Sequence, residues 1–188
     1  MRDKMSQNIK STTEDVRIRY FAYGSNMLRS RMESRVRGLR KECIAYVPDF
    51  RLRANKKGDD GSSKANIEPF RDERVWGVVW SLPTDEIGGL DRAEGYSPER
   101  EKNHYEPQGV FVYDVDGVPW ETMTYIACEG RTTEEDFPLF TWYHGYLIPG
   151  AKEHGLTMEY VDKINLIPKI EDGDKKRHNR NMRIMMDL

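Results

Sequence analysis

The stretch Val75–Leu82, with the sequence VWGVVWSL, is the most informative for the fold. Apolar residues stand at both odd and even positions, so both faces of a strand formed here are apolar. This pattern is typical of a strand covered on both sides, whereas a strand with one face in water alternates apolar and polar residues. We therefore predict a central strand at this position.

Strand signals also precede this stretch. Ile18–Tyr23 is a short apolar run that ends at a glycine. Cys43–Arg53 is rich in β-branched and aromatic residues, which favour strands. Pro48 lies within it and indicates an edge, a bulge or a bend, because proline cannot donate a ladder hydrogen bond.

A hairpin is predicted in the second half of the chain. Gly109–Val115 and Val118–Cys128 both read as strands, and Asp116-Gly117 separates them. An Asp-Gly pair between two such runs is a strong signal for a tight β-hairpin turn.

Helix signals begin after Asn26. The following apolar residues recur at helical spacing, with arginines on the other faces. Thr84 is predicted to begin a short helix, because Asp85 and Glu86 favour the positive end of a helix dipole. The first series of apolar residues is Leu28, Met32, Val36 and Leu39.

A longer helix is predicted over Pro138–His154, with Pro149 as a kink or a break. Gly155 suits the end of a helix, and Thr157 suits the N-cap of the next one. Strands and helices are thus mixed without regular βαβ alternation. This indicates an α+β fold with a mixed or antiparallel sheet, open or closed into a barrel.

The length of 188 residues fits a single domain, which we assign to residues 17–170. Residues 1–16 are polar and lack periodicity, so we predict a flexible N-terminal tail. Residues 171–188 are rich in charge and are predicted to form a C-terminal tail that is disordered or loosely docked.

Composition excludes several classes of partner. The net charge is −2 at pH 7, which gives no general attraction to nucleic acid or to an anionic membrane. Cys43 and Cys128 lack paired spacing and are expected to be buried thiols in a reducing, cytoplasmic compartment. No apolar run approaches the ~20 residues that cross a bilayer, and we expect no secretion signal at the N-terminus.

The segment Tyr23–Met27, with the sequence YGSNM, lies between the first predicted strand and a predicted helix. Gly24 permits a tight turn and close approach of a ligand to the backbone. Ser25 and Asn26 are good N-cap residues, and the N–H groups at such a turn suit a carboxylate or a phosphate. A capped turn without any ligand explains the same residues.

Glu94 stands at the end of the segment Leu90–Tyr96, with the sequence LDRAEGY. Most acidic residues on such a segment are solvated, which is the simplest interpretation of Glu94. Gly95 directly behind it predicts a helix end that presents the carboxylate at the end of an element, where site residues often lie.

These segments together resemble one known family. Tyr20–Met27 (YFAYGSNM) resembles the N-terminal signature of the γ-glutamylcyclotransferase family. Val75–Trp80 and Leu90–Tyr96 follow in the family's order, and Gly150–Leu156 (GAKEHGL) resembles its C-terminal helical segment. The resemblance covers roughly residues 18–168, and four motifs in register make it specific.

The resemblance implies a fold, a compact mixed β-barrel-like sheet flanked by helices, and a set of site residues. It places the family's catalytic glutamate at Glu94. The substrate-binding residues that it implies are Tyr20, Phe21, Ala22, Tyr23, Gly24, Ser25, Asn26, Tyr125 and Tyr143.

The implied activity is the cyclisation of a γ-glutamyl amino acid or dipeptide to 5-oxoproline, with release of the amine or amino acid and Glu94 as general acid and base. The implied partner is a small γ-glutamyl molecule, no cofactor is needed, and a homodimer rests on the resemblance alone. Two alternatives stay open. One is a non-catalytic module that binds a small anion or a γ-glutamyl compound; the other is a related branch that acts on γ-glutamylamines or on biosynthetic γ-glutamyl intermediates.

Other chemistries find little support in the residues. The four histidines lack the paired spacing of a helical zinc site, so we predict no metal site. Ser25 does not lie in a G-x-S-x-G turn, so a serine hydrolase is not indicated. The histidines are His104, His144, His154 and His178.

One basic stretch is predicted to be a solvated helix face, with a weak polyanion contact as the alternative. This stretch is the main support for the binding-module alternative. It consists of Arg29, Arg31, Arg35, Arg37, Arg40 and Lys41.

Overall fold

The computed structural model describes residues 16–186. Five strands form a closed barrel in the order β1, β3, β2, β4, β5, and two short strands form a separate parallel pair. The barrel strands are β1 (Arg17–Ala22), β2 (Arg40–Lys57), β3 (Ser63–Pro83), β4 (Tyr105–Asp114) and β5 (Pro119–Ala127), and the pair is β6 (Leu139–Phe140) with β7 (Lys169–Ile170).

Helices flank this barrel, which confirms the predicted α+β class with a barrel-like sheet. Single 3₁₀ turns lie at Ser25–Met27 and Thr84–Glu86. The α-helices are α1 (Arg29–Glu33), α2 (Ile87–Glu94), α3 (Thr141–Glu153), α4 (Met158–Asn165) and α5 (Lys175–Met186).

The apolar stretch Val75–Leu82 lies in a strand with a neighbour on each side, as predicted for a central strand. It forms the second half of β3, which pairs antiparallel with β1 on one side and with β2 on the other. Val78, Val79 and Trp80 are fully buried although successive side chains point to opposite faces. β1 also meets β5 in parallel, through Tyr20 and Met123, and this contact closes the barrel.

Strand β2 has a bulge at the predicted proline. The pairing of β2 with β3 shifts register between Pro48 and Phe50, and Asp49 between them has a φ of 58°. Of the three options that Pro48 left open, the structure has the bulge.

The pairing of β2 and β3 extends further than the sequence predicts, to Lys57 opposite Ser63. Residues 55–64 are polar, so their pattern reads as a loop, whereas the main-chain ladder does not depend on side-chain polarity. This extension carries Lys56 and Lys64 to the site described below.

The hairpin of β4 and β5 agrees with its prediction. Gly117 has a φ of 78° in the turn, and the Asp114 carboxylate accepts hydrogen bonds from the N–H groups of Asp116 and Val118. Such a left-handed turn residue is the reason that Asp-Gly pairs mark hairpins.

The helix predicted after Asn26 is much shorter than expected. A 3₁₀ turn leads into α1, which ends at Glu33, so Val36 and Leu39 lie beyond it. The Ser34 hydroxyl donates to the carbonyl of Arg31 and thereby competes with continuation of the helix. Val36 is buried all the same, which explains the misleading periodicity.

Helix α3 begins later than predicted and does not break. Leu139 and Phe140 pair with β7 instead of joining the helix. The helix then continues through Pro149 to Glu153, so the break that we considered is absent. Gly155, with a φ of 78°, follows the helix end as predicted.

The predicted N-cap of α4 is confirmed. The Thr157 side chain accepts a hydrogen bond from the Tyr160 N–H at 3.3 Å. Thr84, by contrast, makes no side-chain cap; its hydroxyl donates to the carbonyl of Val16.

The charged C-terminal segment, for which we expected disorder or loose docking, contains helix α5. The buried Asp172 carboxylate accepts hydrogen bonds from the Trp142 indole at 2.8 Å and from the Arg177 guanidinium at 2.6 Å. The Tyr146 hydroxyl donates to the carbonyl of Asn181. Composition alone does not reveal these anchors. Residues 1–15 lie outside the described residues, and the division into one domain and two tails stays a prediction.

Within residues 16–186, none of the helices combines the length and the apolar character that crossing a bilayer requires.

Two glycines of α3 give a matched test of how closely this helix packs against the turn after β1. A Cβ atom at Gly150 would lie 2.6 Å from the backbone nitrogen of Leu28, which cannot move aside easily. A Cβ atom at Gly145 would meet only the flexible end of Met185, at 3.0 Å.

We expect Gly150→Ala to lower the free energy of unfolding by about 1–3 kcal/mol, because overpacking strains the backbone of the neighbouring turn. Gly145→Ala should change it by less than about 1 kcal/mol, since alanine favours a helix interior. Chemical denaturation of both variants checks this. Equal losses at the two positions would show that α3 does not press on the turn.

Candidate active site

The turn after β1 is held from two sides. The indole N–H of Trp80 donates to the carbonyl of Asn26 at 2.9 Å, from within the barrel. The Nε2 atom of His154, just after α3, lies 2.9 Å from the carbonyl of Met27. Ser25, Asn26 and Met27 are consequently buried, and their backbone is fixed by residues far away in the sequence.

Glu94 is the last residue of α2, as the sequence predicts. Gly95 has a φ of 69° and lies in the left-handed region that ends helices. The Glu94 side chain is only 15% exposed, so it points into the protein and not into solvent. The interpretation of Glu94 as a solvated helix residue is therefore wrong.

Glu94 forms a hydrogen-bonded ion pair with Arg35, and Asn26 of the turn after β1 bonds to both of them. The Arg35 Nη1 atom lies 2.6 Å from Glu94 Oε1 and 2.6 Å from Asn26 Oδ1. The Asn26 amide donates to Glu94 Oε1 at 2.9 Å and to the Tyr20 hydroxyl at 2.9 Å. Both contacts to Glu94 fall on Oε1, and no hydrogen bond from the residues that the structure describes falls on Oε2.

These groups surround an inner pocket between the turn, α2 and the barrel. The structure brings together Glu94 and seven of the nine predicted binding residues. The pocket is lined by Tyr20, Tyr23, Gly24, Ser25, Asn26, Ala65, Glu94, Tyr105, Tyr125 and Tyr143.

Phe21 and Ala22 are the two predicted binding residues that do not line the pocket. Both are fully buried within β1, where they pair with Val79 and Val78 of β3. Barrel pairing holds both side chains in the core and away from this pocket, and their role as binding residues stays a prediction.

The tyrosines of the inner pocket are fixed mainly through backbone groups. The Tyr23 hydroxyl donates to the carbonyl of Tyr125 at 2.6 Å, and the Tyr105 hydroxyl donates to the carbonyl of Ala65 at 2.8 Å. The Tyr143 hydroxyl accepts from the Ala65 N–H at 3.2 Å. Tyr143, which the resemblance implied as a binding residue, therefore reaches the pocket.

These phenols remain protonated near neutral pH. Burial raises the pKa of all five, and the negative charge of Glu94 adds to the effect in each case. They can donate hydrogen bonds but cannot serve as bases. Among the described residues that line the inner pocket, Glu94 is the one carboxylate, and so it is the candidate proton acceptor.

Outside the inner pocket lies a second space, which we call the outer vestibule. It shares Ser25, Glu94, Tyr105 and Tyr143 with the inner pocket. Its empty volume, including the part open to solvent, is about 590 Å³, against about 280 Å³ for the inner pocket. Cationic or titratable side chains dominate the rest of its lining, namely Arg31, Arg35, Lys56, Lys64, Arg92 and His104.

Several of these residues were missed by sequence reasoning. Arg31 and Arg35 belong to the basic stretch that we predicted to be solvated, and no local pattern separates them from the exposed Arg37 and Arg40. Lys56 lies in the polar extension of β2. One signal was available for Arg35, since a partly buried carboxylate such as Glu94 requires a cation or donor nearby.

The chain resembles known proteins over most of its length. A model of the AIG2-like family matches residues 74–164. The γ-glutamylcyclotransferase of Homo sapiens is 31% identical over 155 residues, which cover 79% of this chain and 77% of the human protein. The γ-glutamylcyclotransferase of Bos taurus is 32% identical over 162 residues, with 84% and 80% covered.

A solved structure shows the same architecture. It is described as a γ-glutamyl cyclotransferase and superimposes with a TM-score of 0.76 at 26% identity. The match covers 89% of this chain and 99% of that structure. The two proteins therefore share one overall fold.

The ion pair makes a prediction about stability. Glu94→Ala removes the carboxylate and leaves Arg35, whose side chain is 14% exposed, with Asn26 as its remaining acceptor. We expect this substitution to lower the free energy of unfolding by about 1–3 kcal/mol, the usual cost of a buried polar group that loses its partner. Glu94→Gln keeps an acceptor oxygen and should lose less than about 1 kcal/mol.

Chemical denaturation of the two variants, side by side with wild type, measures this difference. An equal loss for glutamine and alanine would contradict the view that Oε1 mainly serves as a hydrogen-bond acceptor for Arg35 and Asn26.

Proposed function

The chain belongs to the γ-glutamylcyclotransferase family, and from this membership we propose that it converts a γ-glutamyl compound to 5-oxoproline with release of an amino acid or amine. The observation that carries the proposal is Glu94, a largely buried carboxylate with one oxygen held and the other without a hydrogen bond from any described residue. It lies in a pocket whose other titratable groups are neutral phenols.

The proposed reaction needs only the groups that the substrate and the chain supply. The substrate's α-ammonium transfers a proton to Glu94, and the free amine attacks its own γ-carbonyl carbon. A ring C–N bond forms, Glu94 passes its proton to the departing nitrogen, and the original amide C–N bond breaks. The ring nitrogen still carries one proton more than the product, and this second proton goes to the released amine, which leaves as an ammonium. No cofactor enters this scheme, and a well-positioned intramolecular attack can contribute roughly 7–11 kcal/mol.

The turn at Gly24–Asn26 is the proposed seat of the substrate's α-carboxylate. The first hydrogen bonds of the 3₁₀ turn run from the N–H groups of Met27 and Leu28 to the carbonyls of Gly24 and Ser25. The N–H groups that precede them donate no hydrogen bond within the turn, which is a common arrangement for an anion site. Such a seat would bring the α-ammonium, two bonds away, near Glu94.

Tyr20 is the proposed donor to the developing oxyanion. Its hydroxyl accepts a hydrogen bond from Asn26 and makes no donation to any described residue, so its own proton is available to a ligand. Burial keeps the pKa of this phenol far above neutrality. A neutral donor fixed before the reaction begins is what oxyanion stabilisation requires.

A cytoplasmic location is part of the proposal. It is supported by Cys43 and Cys128, which are both unpaired in the structure, as expected of a reducing compartment.

Release of 5-oxoproline tests the activity directly. We expect release from at least one member of a panel of γ-glutamyl dipeptides, glutathione and γ-glutamyl-ε-lysine. Glu94→Gln should lower kcat roughly 100- to 10,000-fold, the usual contribution of a positioned general base. Glu101→Gln makes the same substitution at an exposed residue that lines neither the inner pocket nor the outer vestibule. This control variant should keep the wild-type rate.

A Glu94→Gln variant with the wild-type rate would rule out the assigned base. No release from any member would favour the binding-module alternative, and a rise in melting temperature with phosphate would then support it.

Tyr20→Phe in the same assay is expected to lower kcat about 100- to 1,000-fold, as the loss of one oxyanion donor does elsewhere. KM should change much less, because the donor acts mainly on the transition state. A raised KM with unchanged kcat would instead assign Tyr20 to ground-state binding.

A further inference from the structure

We propose that the departing half of the substrate is acidic, so that the preferred substrates are γ-glutamyl derivatives of a dicarboxylic amino acid. This inference rests on the proposed function and names its substrate class. Two cations in the outer vestibule, Lys56 and Arg31, carry it, because neither contacts a carboxylate of residues 16–186.

The charges of the inner pocket are already balanced. Glu94 and Arg35 neutralise each other through their 2.6 Å contact. The γ-glutamyl half of the substrate adds one α-ammonium and one α-carboxylate, which sum to zero. A preference for a net charge on the substrate must therefore come from the residues of the outer vestibule.

Lys56 is a buried cation with neutral contacts. The residue is only 4% exposed. Its Nζ atom lies 2.9 Å from His104 Nδ1 and 5.1 Å from the centre of the Tyr105 ring. The nearest acid on this side is Asp59, which is bound to the far nitrogen of His104 at 3.2 Å and is shared with Arg131. Asp59 thus forms its ion pair with Arg131 and reaches Lys56 only through the neutral imidazole of His104.

Lys56 still carries a proton at neutral pH. Burial and the neighbouring Lys64 lower its pKa to about 8, so the ammonium form predominates at pH 7. An ammonium held out of water without a counter-ion is costly, and an incoming carboxylate would recover part of that cost.

Arg31 lies on a different element and has a similar environment. Its Nε atom donates to the Ser25 hydroxyl at 3.0 Å, and its guanidinium stacks 4.3 Å from the centre of the Tyr146 ring. Both partners are neutral, so the charge is oriented but not compensated. Lys64 differs, because its Nζ atom lies 2.8 Å from Asp60 Oδ2 and its charge is therefore matched.

Arg92, the remaining cation of the lining without a carboxylate contact among the described residues, is exposed to solvent. The two uncompensated cations that are not exposed, Lys56 and Arg31, call for two anionic groups on the ligand. The α-carboxylate of an ordinary amino-acid acceptor can meet only one of them. An acceptor such as glutamate or aspartate carries a second carboxylate and can meet both. Lys56 on β2 and Arg31 on α1 both border the space that contains Glu94, so one ligand can reach all three.

The test compares γ-glutamyl-glutamate with γ-glutamyl-glutamine, which share shape and differ in one charge. We expect wild-type kcat/KM to favour the glutamate compound by about ten-fold or more at low ionic strength, the range of a hydrogen bond to a charged group. Lys56→Gln should reduce this preference several-fold, and Lys56→Arg should retain most of it.

Lys57→Gln is the matched control. Lys57 is the next residue of β2, is exposed and lies outside the vestibule lining. This variant loses the same charge and should keep the wild-type preference. Because each variant is judged by a ratio between two substrates, partial loss of folded protein does not affect the result.

The outcomes separate this inference from the proposed function. Turnover of both compounds at equal kcat/KM would overturn the acidic acceptor and leave cyclisation intact. A preference that survives Lys56→Gln and Arg31→Gln alike would overturn the assignment to these two cations. No turnover of either compound, or of the wider panel, would overturn the proposed function and this inference with it.

Discussion

The hydrogen-bonded pair of Arg35 and Glu94, with Asn26 between them, is the contact on which the site depends. Three segments meet there: the turn after β1, the residues shortly after α1 and, much later in the sequence, the end of α2. One amide uses its oxygen for Arg35 and its nitrogen for Glu94 and Tyr20, so these side chains hold one another in place. One carboxylate oxygen of Glu94 is held, and the other receives no hydrogen bond from the part of the chain that the structure describes.

The barrel supplies the rigidity that this contact requires. Trp80, in the central strand, fixes the carbonyl of Asn26, and His154 fixes that of Met27. Gly150 permits α3 to lie against the same turn, where a Cβ atom would come within 2.6 Å of the backbone nitrogen of Leu28. Core residues thus fix the turn that orients the proposed base. A substitution that disturbs core packing should therefore also lower the catalytic rate.

How far the sequence predicts this molecule depends on whether the signal is local. Val75–Leu82, the Asp-Gly hairpin and the Glu94-Gly95 helix end carry their information within a few residues, and each agrees with the structure. Helix α5 was missed because it depends on distant partners, such as Trp142 for Asp172. The extension of β2 was missed because its residues are polar, whereas the main-chain ladder that forms it does not depend on side-chain polarity. The role of Arg35 has the same origin: its neighbours in the basic stretch have similar sequence surroundings, and only the fold brings Arg35 to Glu94.

The central claim is that the substrate's own amine, and not water, attacks the γ-carbonyl. Turnover of a γ-glutamyl dipeptide in H₂¹⁸O, followed by mass spectrometry, tests this most directly. Cyclisation adds no oxygen from solvent, so the account predicts 5-oxoproline without ¹⁸O as the first product. Free glutamate with ¹⁸O in its γ-carboxylate would show hydrolysis and would contradict the account.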